Sequence, residues 1–133
     1  MRYMLDTNIC IYTIKHKPET VIRNFLLHNP EEMCISAITY AELMHGVEKS
    51  AAAEKNRIAL LLFLSPLSVL DFSASAAAEY GKIRAALELR GRPIGPMDLL
   101  IAGHAKSEKL ILVTNNTKEF LRVEGLAVEN WAD

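Results

Sequence analysis

Four short apolar runs, each closed by a polar residue and followed by a helical pattern, constrain this chain more than anything else in it. They are RYMLD (2–6), MCIS (33–36), LSVLD (67–71) and KLILVT (109–114), and LAVEN (126–130) reads as a short edge strand. Continuous apolar runs of this length, bounded by turn residues, are the pattern of strands covered on both faces. Strands that alternate with helices need crossover connections, which gives a parallel sheet. The expectation is an α/β fold in one domain spanning residues 1–133, with a central parallel sheet of four to five strands flanked by helices on both faces.

The helical stretches carry their own punctuation. Thr7 and Asn8 offer a turn and a cap before ICIYTIKHK, and Pro18 suits the first helical position of PETVIRNFLLHN. Thr39 opens TYAELMHGVEKS, and Pro66 stops the following AAAEKNRIALLLFL. Ser73 to Arg90 reads as a long Ala-rich helix stopped by Gly91 and Pro93, and Pro96 starts MDLLIAGHAKSEK. TKEFLRV (117–123) is a short last helix.

Composition excludes several classes. Half of the residues are hydrophobic and 23% are charged, so the chain is neither disordered nor fibrous. Its formal net charge of −1 means that a nucleic-acid partner has to be held by a local patch or a metal ion. Cys10 and Cys34 lie in apolar surroundings without metal-ligand spacing, which reads as buried free thiols in a reducing compartment. The longest apolar run, IALLLFL, falls far short of the ~20 residues of a membrane span, and no basic-then-apolar leader opens the chain. The expectation is a cytoplasmic protein with no membrane association.

Polar residues at the carboxyl ends of the strands matter most, because ligands of open α/β sheets bind there. Asp6 closes the first strand, Glu42 follows the second, Asp98 precedes the fourth, and Asn115, Asn116 and Glu119 come after it. Most have a structural explanation as well. Thr39 to Glu42 fits a capping box, Asp98 suits a helix first turn, and Asn116 with Glu119 imitates a cap. Asp71 follows a strand too, and there Ser73 and Ser75 suggest that it only helps to start a helix. Asp6 is harder to explain this way. A partly buried carboxylate costs several kcal/mol unless it is paired or metal-bound, and no Lys or Arg follows within eight residues. If Asp6, Glu42 and Asp98 meet, their repulsion raises their pKa values and a divalent cation relieves it. Hard oxygen ligands suit Mg²⁺ or Mn²⁺, and such an ion activates water against a phosphodiester.

In MLDTNICIYTIK, CISAITYAELMHGVEKS, GRPIGPMDLLIAGHA and LVTNNTKEF, in that order, the chain resembles the PIN-domain ribonucleases and, among them, the VapC-type toxins of toxin–antitoxin pairs. The resemblance implies a metal-dependent endoribonuclease that uses Mg²⁺, with Mn²⁺ as the alternative ion, and is inhibited by a VapB-type antitoxin. Operator DNA would be met only through that antitoxin. Asp6, Glu42 and Asp98 fall on the family's metal-binding acids, Thr7 and Asn8 on positions that orient the first acid, and Thr114 on the Thr beside the metal. Relatives of this type cut initiator tRNA in its anticodon stem-loop, and the resemblance extends that substrate here. The chain departs from the family at Asn116, where many members carry a fourth acid. Either Glu119 supplies that carboxylate, or Asn116 coordinates through its amide or a water, or three acids suffice.

RNA needs local positive charge. Lys82, Arg84, Arg90 and Arg92 lead into the GRPIGP loop before Asp98 and form the favoured set, while Lys106, Lys109, Lys118 and Arg122 lie near the other corner. The apolar surplus of IALLLFL and YAELMHG suggests a homodimer, and an antitoxin segment would cover the same apolar groove. Two other readings compete. One is a catalytically impaired module that binds RNA or antitoxin, and the other is a phosphate-accepting regulatory domain.

Overall fold

The computed structural model describes all 133 residues. Five strands, β1 (Tyr3–Leu5), β2 (Met33–Ser36), β3 (Ser68–Leu70), β4 (Ile111–Val113) and β5 (Val128–Glu129), form one sheet in the order β3-β2-β1-β4-β5. Every pairing is parallel, with Tyr3 opposite both Met33 and Ile111 and Leu5 opposite Val113. Seven helices connect them: α1 (Thr7–Lys15), α2 (Glu19–Leu26), α3 (Ala37–Lys49), α4 (Ala53–Leu64), α5 (Ala74–Leu89), α6 (Pro96–Ser107) and α7 (Thr117–Phe120).

Alternate strand residues feed two separate cores, as the pleat requires. Tyr3, Leu5, Met33, Ile35 and Val113 face a core built with α1 to α4. Met4, Cys34 and Leu112 face a second core with Ile83, Leu87, Leu99, Ile101 and Phe120 of α5 to α7. Both sheet faces are therefore covered, which accounts for continuous apolar runs in the central strands. The two cysteines are buried and free, as expected. No helix is long and apolar enough to cross a membrane.

The chain lays β1, β2 and β3 outward to one side, then returns to place β4 against the free edge of β1. The switch in direction falls between β1 and β4, where an open α/β sheet leaves a crevice at its carboxyl edge. α6 reaches that crevice because it packs closely on α5. At Gly103 a Cβ would lie 2.8 Å from the Tyr80 backbone nitrogen, so only glycine permits this approach.

Several boundaries differ from the sequence expectation, each for a local reason. Asp6 itself caps α1, accepting from the Ile9 N–H at 2.9 Å, so Thr7 and Asn8 lie inside the helix. Pro18 is the cap of α2 and not its first residue. Ser36 caps α3 through the Ile38 N–H at 3.0 Å, which starts the helix at Ala37 and leaves Thr39 in its first turn. The Thr39–Glu42 capping box therefore does not form. Ser73, not Asp71, caps α5. LSVLD forms an edge strand with Ser68 and Val69 exposed, where a covered strand was expected. Only Thr117–Phe120 of TKEFLRV is helical.

Candidate active site

Asp6 sits at the carboxyl end of β1, 5% exposed, fixed by its own helix cap and by two neighbours. Its backbone N–H donates to the Val113 carbonyl at 2.9 Å, continuing the β1–β4 ladder. Its Oδ2 accepts a hydrogen bond from the hydroxyl of Thr114, which is fully buried. Burial is the largest influence on the Asp6 carboxyl and raises its pKa to about 6. The hydrogen bonds from Thr114 and Ile9 pull it down, and the charge of Glu42 pushes it up again.

Glu42 projects from α3, which Ser36 starts directly at the end of β2. Its Oε1 accepts from the Thr7 hydroxyl at 2.6 Å, and that hydroxyl also faces the buried Thr39 hydroxyl at 3.5 Å. Thr7 therefore orients Glu42, the second acid, where the resemblance implied the first. The Asn8 side chain is exposed, and only its backbone N–H bears on Asp6.

Asp98 stands in the first turn of α6, next to Glu119. Partial burial, then the Glu119 charge and its hydrogen bond, then Asp6 and Glu42, raise the Asp98 carboxyl to about 7. Glu119 moves the opposite way, held down first by the Gly95 N–H, which donates to its Oε1 at 2.9 Å. The two neighbouring carboxyls thus move apart, Asp98 pushed up and Glu119 held down. Asn116 caps α7 by position only, without a side-chain cap bond. Its Nδ2 instead donates to Glu119 Oε2, and its N–H donates to the Thr114 hydroxyl at 2.9 Å. At the fourth corner the carboxylate facing Asp98 is that of Glu119, and Asn116 is its hydrogen-bond donor. Asn115 turns away and donates to the Tyr12 hydroxyl at 2.8 Å.

The crevice thus brings together Asp6, Glu42, Asp98, Glu119, Thr114, Thr7 and Asn116. No three of the acidic groups are drawn tightly enough to enclose an ion by themselves. Asp6, Glu42 and Glu119 are each held by a donor, and burial first, with the charge of neighbouring acids behind it, raises Asp6 and Asp98. An open, oxygen-only set of this kind fits a hard divalent ion that keeps much of its water.

Sequence reasoning missed three contributors. The Gly95 N–H and the Thr39 hydroxyl gave no signal, since both act across tertiary contacts. His104 is fully buried, and its Nδ1 meets the Ser36 hydroxyl at 2.8 Å, tying α6 to the start of α3. Burial lowers its pKa. Only its place in an apolar helix hinted at this.

The basic residues divide. Lys82 lies 3.7 Å from Glu79, and Arg84 is committed to the Tyr80 hydroxyl at 2.8 Å and to Glu88 at 3.3 Å. Arg90 bonds the Ala86 carbonyl, and Arg92 is exposed. Lys106 reaches the Glu124 carbonyl, and Arg122 reaches that of Pro93. Lys82, Arg90 and Lys106 share a groove of about 430 Å³. Lys109 adopts positive φ at a turn and Lys118 is exposed, both apart from these contacts.

A parallel α/β sheet with four carboxyls gathered at its switch point is the architecture of an acid-centred nuclease. The PIN domain family matches residues 3–126. A tRNA(fMet)-specific endonuclease VapC of Shigella flexneri is 53% identical over 132 residues, covering 99% of both chains. Ribonuclease VapC2 of Haemophilus influenzae is 49% identical over 131 residues, covering 98% of both. The solved DNA-bound VapBC of Salmonella typhimurium superposes with a TM-score of 0.92 at 50% identity, covering 98% of both chains. The chain belongs to the PIN-domain family, within its VapC ribonuclease branch. PIN-domain nucleases use a divalent metal ion, and the phosphate-accepting regulatory reading falls away.

Proposed function

We propose that this VapC-branch endoribonuclease, one domain over residues 1–133, cuts initiator tRNA within its anticodon stem-loop. It acts as the cytoplasmic toxin of a pair silenced by a VapB-type antitoxin. The single observation that carries the chemistry is the convergence of Asp6, Glu42, Asp98 and Glu119 on the β1–β4 crevice, with the Asp98 carboxyl raised to about 7. The names of the relatives carry the substrate, and the DNA-bound VapBC structure carries the antitoxin and operator DNA met through it.

In this reading Asp6, Glu42 and Asp98 hold a divalent ion, Mg²⁺ or Mn²⁺, which supplies an activated water and charge for the phosphate oxyanion. Thr114 fixes the rotamer of Asp6, and Thr7 fixes that of Glu42. The Gly95 N–H, donating to Glu119 Oε1, favours the charged form of Glu119 beside Asp98. Exposed Arg90 and Arg92, with Lys82, attract the RNA backbone. The apolar surface of Ile58, Leu61 and Leu62 on α4 supports a homodimer.

Purified, antitoxin-free protein incubated with total tRNA and Mg²⁺ should cut one tRNA at a defined position, and Asp6→Asn should cut none. Equal cleavage by the two would sink the assignment. RNA binding without any cleavage would favour the catalytically impaired reading.

A further inference from the structure

We propose that a pocket beside α1, lined by Tyr12, Lys15, Lys17 and Asn115, is a nucleotide subsite that grips the RNA strand next to the scissile phosphate. The proposal rests on the endoribonuclease reading and goes beyond it by assigning residues outside the acid cluster.

The pocket is a shallow, open depression of about 600 Å³, and its remaining lining is Ile11, Pro18 and Ala132. No acid lines it, and neither Lys15 nor Lys17 takes part in an ion pair. By contrast, Lys82 and Arg84 each have an acid on their own helix, and the groove that Lys82 shares with Arg90 and Lys106 contains Glu124. In a chain of net charge −1, two free cations in an acid-free hollow mark a place for an anion.

Tyr12 suits a base, and Asn115 positions it. Tyr12 is half-buried, with its ring packed on the core, and its hydroxyl accepts from Asn115 Nδ2 at 2.8 Å. An aromatic ring and paired ammonium groups are what single-stranded RNA uses for stacking and phosphate contact, and Asn115 fixes the Tyr12 hydroxyl between them.

Position links the pocket to catalysis. Asn115 follows Thr114, whose hydroxyl bonds Asp6, and Tyr12 lies on the helix that Asp6 caps. Ile11 and Lys15 also line a second pocket, of about 330 Å³, that contains Glu42. A nucleotide in the Tyr12 pocket is therefore a near neighbour of a phosphate at the acids. An acidic protein segment is the competing occupant, and the test separates the two.

Binding of a fluorescein-labelled anticodon stem-loop RNA is followed by anisotropy on the non-cleaving Asp6→Asn background, and cleavage on the wild-type background. The Lys15→Gln/Lys17→Gln pair should weaken RNA binding tenfold or more. It should also reduce the slope of log Kd against log salt by roughly 1.4, as expected for two lost single-strand phosphate contacts. Tyr12→Leu should weaken binding by roughly 5- to 100-fold, and Tyr12→Phe by less. On the wild-type background KM should rise while kcat stays within about twofold. A matched Lys49→Gln/Lys55→Gln pair, also exposed, should leave the RNA affinity and the salt slope unchanged. Unchanged RNA affinity and salt slope in the Lys15/Lys17 variant overturn the subsite, as does loss of antitoxin binding with RNA binding intact. A wild-type chain that binds but does not cut refutes only the catalytic reading, because the binding arm still reports on the pocket.

Discussion

The Thr114 hydroxyl donates to Asp6 Oδ2, joining residues 108 positions apart at the carboxyl ends of β4 and β1. The bond locks the buried acid in one rotamer and offsets part of its desolvation. Thr114→Val keeps the shape and removes the donor. It should weaken Mg²⁺ binding by about 10–100-fold in titration calorimetry, with Thr114→Ser recovering most of the loss. Unchanged affinity in the Val variant would detach Thr114 from the site.

Glu119 and Asn116 have unequal parts. Glu119 faces Asp98 and is held by the Gly95 N–H, whereas the Asn116 side chain donates to Glu119 alone. Glu119→Ala should therefore lower the RNA cleavage rate at least tenfold, and Asn116→Ala by less. Full activity in Glu119→Ala with a large loss in Asn116→Ala would reverse these roles.

The raised carboxyls predict a pH-dependent stability in the metal-free protein. Asp6 keeps its proton to about pH 6 in the folded chain, against 3.8 for an ordinary Asp. The folded state binds more protons between those values, so stability falls as pH rises through that window. The shift is worth about 3 kcal/mol at most. Asp98 extends the loss toward pH 7. Glu119 and His104, both lowered, act in the opposite sense. The Tm of Asp6→Asn should therefore gain on that of wild type by several degrees between pH 4 and pH 7, by scanning fluorimetry without metal. Mg²⁺ should raise the wild-type Tm more at pH 7 than at pH 5. A Tm difference that stays constant with pH would contradict a raised Asp6.

Gly103 sets the contact between α5 and α6. Gly103→Ala would place its Cβ 2.8 Å from the Tyr80 nitrogen, a backbone atom that cannot swing away. The strain of about 1–3 kcal/mol should lower Tm by roughly 5–10 °C. It should also reduce cleavage, because α6 carries Asp98. An unchanged Tm would mean that the two helices have slack.

The alternation of apolar runs and helices was enough to read the parallel sheet, its covered faces and the position of each acid near a strand end. Those features follow from burial and local periodicity, which a linear sequence records directly. Helix starts were less legible, because Asp6, Ser36 and Ser73 compete with neighbouring polar residues for the cap. Only folding showed which side chain faced the free N–H groups.

The pattern of residues was sufficient to name Asp6, Glu42, Asp98 and Glu119 as acids near one sheet edge, but not their partners. Thr7 on Glu42, the Gly95 N–H on Glu119 and Asn115 on Tyr12 are contacts between residues 24 to 103 positions apart. Hydrogen bonds of this kind depend on distances of a few tenths of an ångström and on angle. Such geometry exists only once β4 has returned to the free edge of β1. Asp6 was legible because burying charge is costly wherever it occurs and the other acids by their place near strand ends, whereas their donors had to await the packing that brought them within reach.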